Sequence, residues 1–355
     1  MISKLTNFFK VIQRFNFKLF LKLILIILKK DYSKYPKYVD DFEKSLSKKF
    51  YTEYCLTFSS GTAAFYASLL ALNLGKRSKV LISSLTFPTV IEILKKFDFD
   101  IYYFNIDRNF EIINKNINVQ KYDLLVMTHP FGFHVNSEIL KPYLDKDTKV
   151  ILDASHSQGM MVDKIEHVKF ADISFMSLQG NKSISGGEGG VILTNDENLY
   201  LKMINNHHPG HQKNKKFKIA GGINDLKLRM HPLAALLALD DLKSFEKRNN
   251  NLIEKIEFIY NHLDKLNIKH PYRKSSIISG FHFGIPLFSP EKIMSDVIKK
   301  YNWYINLSSL NINSISQEDN ENFFKDLYFI DLEWIKNNHI LKIKKKLNKI
   351  FQDAY

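Results

Sequence analysis

Residues 150–159 read VILDASHSQG, and residues 173–194 read ISFMSLQGNKSISGGEGGVILT. Both segments begin with a short apolar run typical of a buried strand, and both runs end at polar residues. A turn rich in glycine and serine then leads into a third apolar run, Gly190–Thr194. This succession predicts neighbouring strands of one sheet. Polar residues at such strand ends face the ligand crevice of an open α/β sheet.

The same pattern continues along the chain on both sides of these segments. Short runs rich in Val, Ile, Leu or aromatic residues predict strands at Tyr54–Phe58, Lys79–Ile82, Ile101–Asn105, Leu124–Thr128, Val150–Asp153, Ile173–Leu178 and Gly190–Thr194. Apolar residues at helical spacing predict helices at Thr62–Leu74, Thr89–Phe97, Asn136–Leu144 and Leu233–Phe245. The alternation predicts an α/β fold with a mostly parallel, seven-stranded sheet.

Changes in composition divide the chain into three expected parts. We expect a basic amphipathic arm over residues 1–45, a large α/β domain over residues 46–245 and a smaller α+β domain over residues 246–355. The last part is rich in Asn and Lys, with one apolar stretch, Ile277–Leu287, that suits a strand. Its final run, Trp334–Phe351, fits an amphipathic helix with a charged outer face.

The charge balance favours anionic partners. The 355 residues include 51 Lys and Arg against 37 Asp and Glu, a formal charge of +14. Such a surface attracts anions at low ionic strength, for example nucleotide-linked substrates or acidic lipids, although a basic surface that is simply solvated is the alternative interpretation. The lysines are scattered, and neither an RNA-binding signature nor zinc-finger spacing occurs, so we expect no nucleic-acid partner. The single cysteine, Cys55, excludes an intrachain disulfide and lies in an apolar run that predicts a buried strand.

The N-terminal segment Phe15–Lys30, FNFKLFLKLILIILKK, is the most membrane-like part of the chain. Lys18 and Lys22 interrupt it, and the run Leu23–Leu28 is far shorter than the ~20 residues of a spanning helix. We expect an amphipathic helix packed on the body or on a partner subunit. The alternative is peripheral contact of residues 8–30 with an anionic membrane. No small-residue cleavage site follows, so the expected location is the cytoplasm.

The segment Ser59-Ser60-Gly61-Thr62 stands between a predicted strand and a predicted helix. Its backbone N–H groups open the helix, and together with the hydroxyls and the helix dipole they suit a phosphate monoester. Gly61 lets the backbone approach such a ligand closely. Simple N-capping of the helix is the alternative interpretation.

Asp153 and Lys182 follow two neighbouring strands. A carboxylate at a strand end suits a protonated pyridine nitrogen, although turn formation would also explain Asp153. A lysine in a glycine-rich turn suits imine chemistry once its amine is desolvated, although a surface loop lysine is the plain alternative. Phosphate site, acid and amine together fit one cofactor, pyridoxal 5'-phosphate.

Four motifs carry a resemblance to a known family. They are SSGTAA at 59–64, LTFP at 85–88, ILDASHSQG at 151–159 and SLQGNKSISGGEGG at 177–190. In order and spacing they resemble the DegT/DnrJ/EryC1/StrS aminotransferases, over roughly residues 40 to 248. The resemblance implies the fold type I of pyridoxal-phosphate enzymes, with the cofactor in the large domain. It also implies a homodimer in which two subunits share each active site.

The family pattern assigns roles to individual residues of this chain. By this resemblance, Lys182 carries the cofactor as a Schiff base and Asp153 bonds the pyridine nitrogen. The other implied cofactor contacts are Ser60, Gly61, Thr62 and Ser177 around the phosphate, Phe87 stacked on the ring, and His156 near the cofactor, just beyond the acid.

One position departs from the family pattern. An ungapped alignment places Lys227 where many relatives carry an asparagine that reaches the neighbouring subunit's phosphate, and Asn224 lies close by. Either side chain is able to donate to phosphate, so both stay candidates. The run His207-His208-Pro209-Gly210-His211 lacks a carboxylate or cysteine at ligand spacing, so we expect a polar loop and no metal site.

The implied reaction moves an amino group from an amino acid, glutamate by resemblance, to a keto sugar that is nucleotide-linked. A sugar dehydratase of the same fold replaces the cofactor lysine, so Lys182 argues against that alternative. A second alternative is a cyclitol aminotransferase, whose ketone substrate lacks a nucleotide, and only substrate trials distinguish it from a sugar aminotransferase. A non-catalytic regulatory or membrane-associated protein of the same fold also stays open, and cofactor absorbance distinguishes it.

Overall fold

A computed structural model describes most of the predicted α/β region and parts of the C-terminal region. The described residues are 17–28, 36–113, 117, 121–162, 165–207, 226–265, 270, 284–288, 327–331, 335–336 and 338–352.

One sheet organises the large α/β region. Its strands are β1 (Tyr54–Phe58), β2 (Lys79–Ser83), β3 (Asp100–Ile106), β4 (Ile112–Ile113), β5 (Leu124–Thr128), β6 (Lys149–Asp153), β9 (Ile173–Ser177) and β10 (Gly190–Thr194), in the order β1-β10-β9-β6-β5-β2-β3-β4. Between β6 and β9, the short strands β7 (Met161–Val162) and β8 (Ile165–Glu166) form a hairpin.

Helices connect these strands and flank the sheet. They are α1 (Phe17–Leu28), α2 (Pro36–Phe50), α3 (Gly61–Leu72), α4 (Pro88–Lys96), α5 (Glu197–His207), α6 (Pro232–Lys265) and α7 (Ile340–Gln352). Short 3-10 helices occur at Pro130–Gly132, Glu138–Tyr143 and His167–Phe170.

The predicted sheet is confirmed. All seven predicted strands lie in it, within one or two residues of the predicted bounds, and the two-residue strand β4 is added at the edge. The pairings β3–β2, β2–β5, β5–β6 and β6–β9 are parallel. Strand β10 runs antiparallel to both β9 and β1, so β1 again points in the common direction. The sheet is therefore mostly parallel, as expected.

Side chains that alternate along each strand build a core on each face of the sheet. In β5, Leu124 and Val126 join the cluster that contains α3, α4 and α5. Leu125 and Met127, from the same strand, join the cluster that contains α2 and α6. Burial on both faces is why these strands read as continuous apolar runs. Cys55 is buried in β1, as its apolar neighbours predict.

Two helix predictions need correction. The segment predicted as an α-helix at Asn136–Leu144 is the 3-10 helix Glu138–Tyr143, which contains Pro142. Proline lacks the N–H that an α-helix requires in its interior, so a regular helix does not continue there. The helix predicted at Leu233–Phe245 is α6, which extends to Lys265. Its later turns bury Leu252, Ile256 and Tyr260, so tertiary packing outweighs the poor helix propensity of residues 249–251.

The expected division into parts stays a prediction. Helix α2 runs continuously across residue 45, and α6 runs continuously across residue 245. In the C-terminal part, β11 (Gly284–Phe288) pairs antiparallel with β12 (Leu327–Asp331). Residues 277–283 of the predicted strand Ile277–Leu287 lie outside the described residues. The helix predicted at Trp334–Phe351 corresponds to α7.

Helix α1 occupies the membrane-like segment. Ile26 is buried, whereas Leu25 and Leu28 are 54% and 72% exposed. Within the described ranges, no helix combines the length and the hydropathy needed to cross a bilayer. Peripheral membrane contact of residues 8–30 and a cytoplasmic location stay predictions.

Candidate functional site

Three parallel strands end at one cavity of about 530 Å³. Thr128, Asp153 and Ser177 are the last residues of β5, β6 and β9, and each lines this cavity. Parallel strands bring their carboxyl ends to the same edge of a sheet, so residues distant in sequence meet there. The lining includes these sequence-predicted residues: Ser60, Gly61, Thr62, Phe87, Asp153, His156, Ser177 and Lys182.

The turn between β1 and α3 forms one wall of the cavity. The Ser60 hydroxyl accepts a 3.0 Å hydrogen bond from the Ala63 N–H, so Ser60 is the N-cap of α3. A Cβ atom at Gly61 would lie only 3.0 Å from the Cβ of Ser177. This close approach explains why the position holds glycine. It also places the Ser177 side chain directly beside the first turn of α3, where N–H groups lack acceptors within the helix.

Asp153 is a buried acid on the floor of the cavity. Its side chain is 6% exposed and accepts a 2.9 Å hydrogen bond from the Ser155 N–H. Burial raises the pKa of the Asp153 carboxyl, and the hydrogen bonds from Ser155 and the charge of Lys182 only partly oppose that rise. A cationic ligand group beside this carboxyl would therefore offset a desolvation cost that the fold itself imposes.

Lys182 is held in the turn between β9 and β10. Its backbone N–H donates a 2.9 Å hydrogen bond to the Gln179 carbonyl, which closes the turn and directs the residue to the cavity. Burial lowers the pKa of the Lys182 amine to about 8, although the charge of Asp153 acts in the opposite direction. At neutral pH roughly a tenth of such amines are uncharged, far more than for an exposed lysine.

His156 is oriented by the loop that follows β5. Its Nδ1 accepts a hydrogen bond of 3.4 Å from the Phe131 N–H, and the two rings stack with centroids 6.3 Å apart. Phe131 adopts a φ of +56°, a left-handed conformation that non-glycine residues rarely adopt. A backbone donor at Nδ1 favours the tautomer with its hydrogen on Nε2.

Phe87 presents an aromatic ring at the cavity. It precedes Pro88, the first residue of α4, and its side chain is 59% exposed. An exposed ring of this size next to a cavity offers a flat apolar face for stacking on another π-system. An ordinary core phenylalanine would be far less exposed.

The structure brings together every predicted site residue except Asn224 and Lys227. Asn224 lies outside the described residues. Lys227 is exposed and is not part of the described cavity lining. However, the Ser59 N–H donates a 2.7 Å hydrogen bond to the Leu228 carbonyl, so the segment that contains Lys227 passes beside the β1–α3 turn.

Several lining residues escaped the sequence prediction. Thr128 ends β5 just as Asp153 ends β6, so the strand-end rule would have found it. Glu188 stands in the same glycine-rich loop as Lys182, and the sequence gives no sign that it faces the cavity. The other unpredicted polar members of the lining are Thr86, Thr89, Ser155, Gln179 and Asn181.

Comparisons with curated proteins give partial matches. The chain is 28% identical over 174 residues to a GDP-perosamine synthase of Escherichia coli O157:H7, covering 47% of each chain. It is 29% identical over 220 residues to the 3-oxo-glucose-6-phosphate:glutamate aminotransferase of Bacillus subtilis (strain 168), covering 60% of this chain and 48% of that protein. The matches thus span about half the length of these relatives.

Solved structures share the fold over nearly the whole chain. An aminotransferase from Psychrobacter cryohalolentis superimposes with a TM-score of 0.78 at 15% identity, covering 96% of this chain and 98% of that one. NtdA of Bacillus subtilis, solved with bound PMP, gives a TM-score of 0.76 at 21% identity, covering 95% and 81%. The family model of the DegT/DnrJ/EryC1/StrS aminotransferases matches residues 19–300. The chain therefore belongs to the DegT/DnrJ/EryC1/StrS aminotransferase family.

Proposed function

We propose that this protein is a pyridoxal-phosphate-dependent aminotransferase that moves an amino group from glutamate to a nucleotide-linked keto sugar. One observation carries the proposal. A partly buried lysine with a lowered pKa and a buried acid with a raised pKa line the same cavity, next to a helix N-terminus. Family membership supports the same chemistry.

The cavity fits pyridoxal phosphate in three respects. The Asp153 carboxyl is desolvated and suits a protonated ring nitrogen. The contact between Gly61 and Ser177 leaves backbone and hydroxyl donors at the start of α3, which suits a phosphate. The exposed face of Phe87 suits a flat ring. We assign Lys182 to covalent attachment and His156 to a position near the cofactor.

The chain's own groups explain how such a site would work. When bound, pyridoxal phosphate supplies an aldehyde and an electron-withdrawing ring. Lys182 contributes an amine that loses its proton near pH 8, so Nζ is able to act first as a nucleophile and later as the group that moves a proton. The Asp153 carboxylate would stabilise a positive charge at the ring nitrogen of the bound cofactor.

The substrate assignment is supported by the relatives and by charge. Two relatives, the GDP-perosamine synthase and the 3-oxo-glucose-6-phosphate:glutamate aminotransferase, carry a sugar in their names, and the second also names glutamate. A formal charge of +14 attracts the diphosphate of a nucleotide sugar at low ionic strength. A cyclitol acceptor would lack that diphosphate. A screen of keto sugar nucleotides against the pyridoxamine form of the protein distinguishes the two.

Covalent capture of the cofactor tests the proposal directly. Pyridoxal phosphate added to cofactor-free protein should attach faster as the pH rises towards 8 and then level off, because Lys182 loses its proton there. Visible absorbance follows the rate, and borohydride reduction with peptide mass spectrometry maps the lysine. Lys182→Met should abolish attachment, whereas Lys202→Met, on an exposed side chain of α5, should not. Attachment elsewhere, or a midpoint near that of ordinary lysine, would refute the assignment.

We further propose that the protein is a homodimer with shared active sites. The family resemblance implies such a dimer, and exposed apolar residues of α1 such as Leu25 and Leu28 offer surface for it. Light scattering should give twice the mass of the 41.5 kDa chain. A monomeric mass for protein with full activity would exclude shared sites.

A further inference from the structure

We propose that Asp241 and Arg248, one pair on helix α6, are positioning residues that hold the turn of Lys182 over the cavity. This inference rests on the proposed function, since the turn matters only if Lys182 carries out the chemistry. Neither side chain lines the described cavity. Their contact with the site passes through the backbone of residues 183–185.

Asp241 and Arg248 form hydrogen bonds to the backbone of the turn at Ser185 and Ser183. The Asp241 carboxylate accepts a 3.0 Å hydrogen bond from the Ser185 N–H. Arg248 donates from Nη2 to the Ser183 carbonyl at 3.1 Å and to the same Asp241 carboxylate at 2.8 Å. Nη1 of Arg248 adds hydrogen bonds to the Asp241 carbonyl at 3.1 Å and to the Ser244 hydroxyl. One guanidinium thus joins the carboxylate to the turn.

Ile184, which lies between Ser183 and Ser185, hydrogen-bonds to a third side chain, that of Gln158. Ile184 donates its N–H to the Gln158 side chain at 2.7 Å, and the amide of Gln158 donates to the Ser177 carbonyl at 2.8 Å. Gln158 is fully buried. The three residues after Lys182 are therefore tied both to α6 and to the end of β9.

The local sequence explains why the turn needs such ties. Residues 183–190 contain four glycines, and Gly187 and Gly189 adopt φ angles of +82° and +154°. Glycine-rich backbone loses more conformational entropy on ordering than other sequences do. We therefore expect the side chains that hydrogen-bond this backbone to control how far the Lys182 side chain is buried. Depth matters because burial is the first cause of its lowered pKa.

The test measures the Lys182 amine itself. In cofactor-free full-length protein, the pH dependence of acetic anhydride labelling at Lys182, read by peptide mass spectrometry, gives its pKa. Arg248→Met should raise that pKa from about 8 by about one unit, because the freed turn lets water reach the amine. Arg248→Lys should show a smaller rise, since it keeps the charge and loses the fork of donors.

A neighbouring ion pair on the same helix supplies the matched control. The Lys243 amine donates a 2.8 Å hydrogen bond to the Asp240 carboxylate, and its side chain is exposed. Lys243→Met removes a comparable pair without touching the turn, so its Lys182 titration should match the parent protein. Thermal midpoints for all variants separate loss of folding from displacement of the turn.

The outcomes distinguish this inference from the proposed function. If Arg248→Met and Arg248→Lys titrate like the parent while borohydride still maps the cofactor to Lys182, the positioning role is wrong and the function stands. If both variants shift the pKa of Lys182 but no cofactor attaches to the parent at Lys182, the positioning role stands and the proposed function is wrong. Equal shifts in Lys243→Met would also overturn the inference.

Discussion

Burial acts on Asp153 and Lys182 in the cavity and drives each toward its neutral form. It raises the pKa of the Asp153 carboxyl and lowers that of the Lys182 amine to about 8. Their mutual attraction opposes both shifts without cancelling them. A site that desolvates an acid and an amine is unfavourable for folding and useful for chemistry, so stability and activity should respond oppositely to mutation.

We expect Asp153→Asn to lower activity and to stabilise the cofactor-free protein at neutral pH. Turnover should fall by at least about 10²-fold, because the amide does not hold the ring nitrogen protonated. The folded-state pKa of Asp153 is raised, so its contribution to stability is complete below the unfolded-state pKa and is lost as the pH rises through the folded-state value. The substitution removes the ionisable carboxyl, so the variant does not lose this stability as the pH rises.

Thermal unfolding of cofactor-free protein from pH 4 to 8 provides the measurement. The stability advantage of Asp153→Asn should grow with pH, and turnover should be measured on the cofactor-loaded form. Near-normal turnover would remove Asp153 from the ring-nitrogen role. An advantage that is largest at pH 4 would contradict the raised pKa.

At the scale of elements, α3 links the fold to the candidate phosphate site. It begins at Gly61 after the N-cap Ser60 and ends at Leu72, before the C-cap Asn73, which adopts a left-handed conformation. Its Ala-rich sequence packs against the sheet, with Ala64, Phe65 and Ala67 fully buried. The helix is therefore fixed by the core, and its N-terminus is held at the edge where β9 ends.

We expect Ser60→Ala to destabilise the protein by about 1 kcal/mol, the usual effect of removing an N-cap hydroxyl. Urea unfolding measures the change. Ser59→Ala is the matched control, because Ser59 is exposed and its backbone N–H, which the substitution keeps, donates to the Leu228 carbonyl. A comparable loss in Ser59→Ala would show that capping is not the cause. A weaker affinity for inorganic phosphate in Ser60→Ala alone would also place its hydroxyl at the anion site.

At the scale of the whole molecule, α6 joins the sheet region to the C-terminal part. Phe245, Leu252 and Ile256 belong to the same buried cluster as Leu125 of β5. Further along, Lys255 donates to the carbonyls of Ile335 and Lys336 at 3.2 and 3.1 Å. Residues on both sides of position 245 therefore share one core.

We expect Ile256→Ala to destabilise the sheet as well as the helix. Deleting a fully buried isoleucine side chain costs about 2–5 kcal/mol. If residues 246–265 fold with the large region, hydrogen exchange in peptides of β5 should accelerate together with exchange in α6. Glu257→Ala, on an exposed neighbour, is the control. Unchanged exchange in β5 would instead support a folding boundary near residue 245.

Local patterns in the sequence determined the seven main strands, the polar residues at the ends of several of them, and the turn that carries Lys182. Strand ends follow from runs such as Leu124–Thr128, where burial on both faces requires unbroken apolar residues. The same local information gave Asp153 and the Ser60-Gly61-Thr62 turn as site candidates, because each stands where a strand stops.

Only the tertiary structure decided the features that depend on contacts between distant residues. The length of α6 depends on packing of Ile256 and Tyr260 against a core that its own sequence does not reveal. The strained Phe131 beside His156, and the hydrogen bonds that Gln158, Asp241 and Arg248 make at and around the Lys182 turn, join residues separated by 19 to 65 positions. Sequence periodicity indicates which face of a helix or strand is buried. The packing of the whole chain determines which distant residues contact that face.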